Sequence, residues 1–243
     1  MINMTKKIEI KDRLIVALDV PSIEQAKELV DILGDEAVFY KIGLELFMSG
    51  EYFELLEWLN SKDKKIFVDL KFFDVPATVG RAVAQLNGKG VTFATIHGND
   101  SIMRAAAANK GDVQILAVTV LTSLDRGDLD DLGFDCDVQQ LVLSRAKRAI
   151  QLGCDGVVAS GHEAKAMREA LGHGFMVVTP GIRPIDNDDD QKRVVTPAQA
   201  FTNGADYIVV GRPIRDAPDP KRAAQKLQVE IAEIFDQKFI AKV

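Results

Sequence analysis

Apolar residues fall into two alternating patterns along this chain. Short, nearly continuous apolar runs occupy 14–18, 38–42, 66–70, 91–96, 113–120, 156–159, 175–178 and 207–210. Between them lie stretches in which apolar residues recur at helical spacing, which places them on one face. Tyr52, Leu55, Leu56 and Leu59 form one such set, Val142, Ala146, Ala149 and Ile150 a second, and Ala224, Leu227, Ile231 and Ile234 a third. Ser22 followed by Gln25 has the capping-box spacing of a helix start. Further helices are predicted near 78–86, 102–108 and 162–171, and the polar stretch 123–137 predicts a loop.

A run that is apolar at successive positions is the pattern of a parallel strand covered on both faces. Eight such strands alternating with helices in 243 residues predict the α/β class and a (β/α)8 TIM barrel, one catalytic domain spanning residues 1–243. The competing architecture is an open doubly wound sheet. Its G-x-G-x-x-G dinucleotide fingerprint does not follow the first run, and no linker or low-complexity tract divides the chain.

Composition narrows the function classes. The chain is 47% hydrophobic and 27% charged, ordinary for a folded globular protein. A formal net charge of −6 argues against a nucleic-acid partner but leaves room for a local basic pocket. Cys136 and Cys154 fit no metal spacing and read as reduced thiols of a cytoplasmic protein. Residues 1–13 carry no signal-like apolar stretch, and no run approaches the roughly 18 apolar residues of a membrane span. No membrane association is expected.

Barrel enzymes place their chemistry at the C-terminal ends of the strands. Polar residues stand at those places here: Asp19, Lys41, Asp69 with Lys71, His97, Thr122, Arg183 and Arg212. Charges at the ends of apolar strands are costly to bury without partners, so several on one rim point to a site. Asp69 and Lys71 are two apart and on a strand share a side, and Asp74 follows just before Pro76, where the chain turns. Flanking carboxylates favour the charged form of a lysine, which can then donate a proton. A carboxylate fixed beside a substrate carboxylate repels it, and loss of CO2 relieves that repulsion. Taken alone, D-x-K-x-x-D also fits a purely structural ion-pair network.

The segments Pro180-Gly181-Ile182-Arg183 and Gly211-Arg212-Pro213-Ile214 follow the seventh and eighth runs, where barrels often bind phosphate. Glycine admits close approach of backbone N–H groups to an anion, and arginine offers a planar fork of donors.

With these residues in view, the chain resembles orotidine 5′-phosphate decarboxylase of the bacterial type, from Leu14 to about Ile214. The strongest segment is Ile66-Phe67-Val68-Asp69-Leu70-Lys71-Phe72-Phe73-Asp74-Val75-Pro76-Ala77-Thr78-Val79. Ala17-Leu18-Asp19, Lys41-Ile42-Gly43, Val120-Leu121-Thr122-Ser123, Pro180-Gly181-Ile182-Arg183-Pro184, Asp190-Gln191-Lys192-Arg193 and Gly211-Arg212-Pro213-Ile214 match in order and spacing.

The resemblance implies a homodimer of barrels that converts orotidine 5′-monophosphate to UMP and CO2 in de novo pyrimidine biosynthesis, with no metal or organic cofactor. It makes Lys71 the proton donor to C6 and sets Asp69 beside the departing carboxylate. Asp74 and Thr78 reach the neighbouring subunit's site. Asp19 and Lys41 hold ribose hydroxyls, Thr122 and Ser123 face the pyrimidine, and Arg183, Gln191, Gly211 and Arg212 gather the phosphate. The Asp-rich loop 185–191 is expected to close over that phosphate. The family's commoner sequence has histidine where Phe73 stands and asparagine where Ala77 stands, which bears on loop packing.

Two rival readings stay open at this point. One is a Mg2+-dependent sugar-phosphate decarboxylase or aldolase of the same barrel superfamily, which also carries D-x-K-x-x-D. The other is a non-catalytic nucleotide-binding module. His162 and His173 read as helix-boundary residues, Phe53 and Trp58 as helix packing, and no His/Cys/carboxylate cluster has metal-ligand spacing.

Overall fold

The structure, a computed structural model, describes residues 7–183 and 194–240. Eight parallel strands close into a barrel in sequence order: β1 (Leu14–Ala17), β2 (Phe39–Gly43), β3 (Lys65–Phe72), β4 (Val91–Ile96), β5 (Gln114–Val118), β6 (Gly156–Val158), β7 (Met176–Thr179) and β8 (Tyr207–Val210). Pairing of Leu14 with Ile208 and of Val16 with Val210 closes the ring, so no strand edge is left unpaired. Helices α1 (Ile23–Leu33), α2 (Leu44–Met48), α3 (Tyr52–Ser61), α4 (Pro76–Ala84), α5 (Asp100–Asn109), α6 (Arg126–Asp131), α7 (Val138–Gln151), α8 (Ala164–Leu171), α9 (Pro197–Thr202), α10 (Arg212–Arg215) and α11 (Pro220–Ile240) complete the order.

Strand alternation divides the apolar residues between two cores. Ile15, Phe39, Phe67, Phe93, Leu116, Met176, Val178 and Tyr207 fill the barrel interior. The Phe93 ring lies 5.1 Å from that of Phe39, 5.9 Å from Phe67 and 5.2 Å from Tyr207 between centroids, in tilted and edge-to-face arrangements that suit aromatic quadrupoles. Residues between these, such as Val16, Tyr40, Ile66, Val68 and Ala94, belong to the outer core with the helices. This double burial is why the strands read as unbroken apolar runs.

The helices follow their predicted faces. Ser22 caps α1 by accepting the Gln25 N–H, and Ile23, Ala26, Leu29, Val30 and Leu33 are buried. Tyr52, Leu55, Leu56 and Leu59 are all buried on α3. Three differences are instructive. The stretch 123–137 is not wholly loop: α6 forms within it, opened by a reciprocal capping box between Asp125 and Asp128. With Leu129 as its only buried residue, it has no apolar period to read. The same local chemistry starts α9, where Thr196 and Gln199 cap each other. Finally, β3 runs two residues past its predicted end, because ladder pairing continues through Phe72.

At the opposite end of the barrel from the polar rim, Arg168 of α8 is buried. Its guanidinium donates to the Asp206 carboxylate at 2.7 Å, to the Gly204 carbonyl at 2.9 Å and to the Phe175 carbonyl at 2.8 Å. The same Asp206 oxygen accepts the Val177 N–H at 2.9 Å, so one ion pair links α8 with the segments entering β7 and β8. Removing Arg168 takes away these three hydrogen bonds and the guanidinium partner of the partly buried Asp206. Arg168→Ala is therefore expected to cost about 3–5 kcal/mol of stability, read as a lower urea midpoint, with activity per folded molecule unchanged.

Candidate active site

Four alternating charges stand on the upper rim of β1 to β3. Lys41 Nζ lies 2.8 Å from Asp19 Oδ1 and 3.6 Å from Asp69 Oδ2, and Lys71 Nζ lies 2.9 Å from Asp69 Oδ1. Burial opposes the charge on Asp69, but Lys41 and Lys71, with hydrogen bonds from Lys71 and Thr95, outweigh it and hold the carboxyl below its ordinary pKa. Burial likewise opposes the charge on Lys41, and Asp69 and Asp19 overcome it and hold its pKa up. Neither central charge would survive burial alone. Each is kept ionised by its neighbours.

Lys71 reaches this chain through a break in the strand. Val68 pairs with Ala94 and Phe72 with Ile96, so residues 69, 70 and 71 of β3 face Thr95 alone on β4. Lys71 takes φ +48°, the left-handed region that a side chain disfavours. Such bulges commonly re-aim side chains beside functional sites. Simple two-residue alternation is thus not what unites Asp69 and Lys71.

A cavity of about 390 Å³ opens at this rim. Asp19, Lys41, Asp69 and Lys71 line it from β1 to β3, Val118, Val120, Leu121 and Thr122 from β5 and its loop, and Gly181, Arg183, Gly211, Arg212 and Arg215 from the loops after β7 and β8. Gly181 has φ +76°, a turn that favours glycine. Beyond it, the Arg183 N–H donates to the Val195 carbonyl at 3.0 Å and the Val195 N–H to the Gly181 carbonyl at 3.2 Å. These bonds tie the two stems of the loop together and fix the main chain that carries the nearly buried Arg183. The cavity joins a neutral set of paired charges to a cluster of guanidinium groups, which suits an anionic ligand with a polar body.

Asp19, Lys41, Asp69, Lys71, Thr122, Arg183, Gly211 and Arg212 are thereby brought together as the sequence suggests. Asp74, Thr78 and Ser123 do not line the cavity. Asp74 is exposed and its Oδ1 accepts the N–H of its neighbour Val75 at 2.5 Å. Thr78 Oγ1 accepts from Arg81 at 3.3 Å, and Ser123 is exposed. Gln191, Asp190 and the loop 185–191 lie outside the described residues. His97 is turned away from the cavity and packs edge-to-face on Phe73, with centroids 5.7 Å apart. Burial, then the charges of Arg145 and Lys71, holds its pKa down.

Two further residues belong to the site. Arg215, one turn beyond Arg212, donates to the main-chain carbonyl of Asp19 and pairs with Asp216. Its spacing from Arg212 was the available signal. Thr95 sits inside an apolar run and gave none. Among the described residues, no group of three or more His, Cys, Asp or Glu side chains could hold a metal ion. No helix among them is long and apolar enough to cross a membrane.

Residues 12–227 match the family described as "Orotidine 5'-phosphate decarboxylase / HUMPS family". The orotidine 5′-phosphate decarboxylase of Methylococcus capsulatus is 66% identical over 232 residues, which cover 95% of this chain and 96% of that protein. That of Stenotrophomonas maltophilia is 55% identical over 224 residues, covering 91% and 93%. The crystal structure of orotidine 5′-phosphate decarboxylase from Lactobacillus acidophilus matches with a TM-score of 0.81 at 36% identity, covering 90% of this chain and 99% of that one.

Proposed function

Because this chain belongs to the orotidine 5′-phosphate decarboxylase / HUMPS family, we propose that it converts orotidine 5′-monophosphate to UMP and CO2 in de novo pyrimidine biosynthesis, Lys71 protonating C6. The observation that carries this reading is the run Asp19–Lys41–Asp69–Lys71 at the mouth of a cavity that also holds Arg183 and Arg212. The barrel acts as one catalytic domain, in the cytoplasm.

The bond between C6 and the carboxylate breaks, its electron pair stays on C6, and CO2 leaves. Lys71 supplies a proton to C6 and recovers one from solvent. The ammonium faces the developing carbanion as a preorganised charge. Asp69, kept ionised by its neighbours, lies beside the substrate carboxylate, so repulsion present before reaction is absent after CO2 departs. Asp19 and Lys41 hold ribose hydroxyls, Thr122 faces the pyrimidine with Ser123 next to it outside the cavity wall, and Arg183, Gln191, Gly211 and Arg212 hold the phosphate. That remote binding energy is expressed at the reacting carbon.

The placement of Asp74 and Thr78 outside their own cavity supports a homodimer whose sites are shared. Phe73 and Val75, which flank Asp74, are 69% and 62% exposed, and Leu44 and Met48 of α2, on the adjoining strand's exit, are 57% and 78% exposed. Exposed apolar residues flanking an exposed carboxylate, with more at the exit of the neighbouring strand, fit a surface that a second copy covers.

The test is the loss of the substrate's ultraviolet absorbance in the presence of chelator. Turnover is expected to persist. A chelator-abolished reaction would instead support the Mg2+-dependent sugar-phosphate chemistry of the rival reading, and UMP binding without turnover the non-catalytic one. Arg212→Ala is expected to lower kcat/KM for orotidine 5′-monophosphate by about 10–100-fold, the loss of hydrogen bonds to a charged group, and to leave the slow turnover of phosphate-free orotidine unchanged. Equal losses on both substrates would remove Arg212 from the phosphate site.

A further inference from the structure

The bulge in β3 leaves the Lys71 N–H without the ladder partner that a regular strand would supply. A side chain takes that place. The Lys71 N–H donates to Thr95 Oγ1 at 2.9 Å, and the Thr95 hydroxyl donates to Asp69 Oδ1 at 2.9 Å. Thr95 is fully buried and is not among the residues lining the cavity. We propose that Thr95 is a positioning residue of this site: its hydroxyl clamps the Lys71 main chain to the Asp69 carboxylate and so fixes where the Lys71 ammonium stands. This deepens the reading of Lys71 and Asp69 given above and rests on it.

The direction of each bond follows from charge. An ionised carboxylate only accepts, so the single hydroxyl proton points at Asp69 and an oxygen lone pair is left for the Lys71 N–H. One group thereby serves two ends. It holds Lys71 at φ +48°, a conformation that persists only where the surroundings impose it, and it supports the charged form of Asp69. Valine at this position has nearly the same shape and neither function. Its Lys71 main chain is free to relax toward an extended strand, carrying the ammonium away from the reacting carbon. A displacement of about 1 Å costs on the order of 100-fold in rate.

The charged groups facing Asp69 are Lys71 on its own strand and Lys41 from β2 with Asp19 of the β1 end behind it, while Tyr52 of α3, whose hydroxyl donates to the Ile42 carbonyl, lies within electrostatic reach. His97 at the end of β4 lies within electrostatic reach of Lys71. Of these only Asp69 loses a bonded donor when Thr95 becomes valine. Asp69 then holds its proton to higher pH, so the acid limb of kcat/KM moves upward in pH.

The experiment compares Thr95→Val, Thr95→Ser and Lys71→Ala in the intact protein, with circular dichroism for folding and full pH profiles on orotidine 5′-monophosphate. Thr95→Val is expected to lower kcat by about 10–100-fold with KM within a factor of about two, since ground-state contacts are untouched, and to raise the acid limb. Thr95→Ser, which keeps the hydroxyl, is expected to restore both. A Thr95→Val enzyme with wild-type kcat and pH profile overturns the proposal, and so does a Thr95→Ser enzyme as impaired as Thr95→Val, which would assign the effect to the methyl group. If Thr95→Val does not fold, Thr95→Ser and Thr95→Cys carry the same comparison. They are alike in shape, but the thiol is a weak donor and acceptor, so equal rates and profiles overturn the clamp. Inactive Lys71→Ala beside unaffected Thr95→Val refutes the clamp alone, whereas active Lys71→Ala refutes the catalytic reading beneath it.

Discussion

Lys71→Ala is expected to lower kcat for orotidine 5′-monophosphate by at least about 10⁴-fold while the barrel stays folded. Two losses combine. Delivery of a proton by a placed side chain is typically worth about 10²–10⁴-fold, and removal of a preorganised charge facing a developing anion about 10²–10³-fold. KM should change little, because ribose and phosphate contacts are retained. Folding should survive, since the Lys71 side chain is one-third exposed (34%) and Asp69 keeps Lys41 and Thr95 as partners. Lys71→Arg separates the two losses, because arginine keeps the charge but does not release a proton. A Lys71→Ala enzyme within tenfold of wild type, measured by the ultraviolet assay on folded protein, would move the proton donor elsewhere.

The second large effect appears on mixing. Asp74→Ala alone is expected to lose about 10²–10³-fold in kcat, as a charged group is removed from the site it serves. On the proposed shared-site dimer, each site takes Lys71 from one subunit and Asp74 from the other. A heterodimer of Lys71→Ala with Asp74→Ala then holds one doubly defective site and one intact site. Random pairing of the two inactive variants is expected to recover about a quarter of wild-type activity. Co-expression with two different tags, followed by sequential purification, tests this directly. Tagged heterodimers that remain inactive, or a fully active monomer in sedimentation at assay concentration, would return Asp74 to its own subunit.

These expectations rest unequally on sequence and structure. Asp19, Lys41, Thr122, Arg183 and Arg212 were legible because each is a polar residue interrupting or ending an apolar run, and the barrel's parallel topology sends every such end to one rim. The aromatic filling of the interior was half legible. Phe39, Phe67 and Phe93 lie in the runs, but their contact across the barrel depends on register. Short α6 and α9 are hard to read because fewer than two turns carry too few apolar positions to show a period: α6 buries Leu129, and α9 buries Pro197, Ala200 and Phe201. Arg215 is not legible in the sequence, since an arginine near a helix end ordinarily faces solvent, and only the fold brings the Asp19 carbonyl to it.

By itself the sequence determined the strand–helix alternation, the closed-barrel class and the charged run from Asp69 to Asp74, because hydrophobic period and charge placement are local properties written residue by residue. Tertiary structure alone decided how that run divides. Unequal register between β3 and β4 makes room for a bulge, and the bulge turns Lys71 to φ +48°. Thr95, 24 residues onward, closes it. Asp69 and Lys71 face inward to Lys41, while Asp74 faces out. Pairing between distant strands sets such geometry, and no window of neighbouring residues contains it.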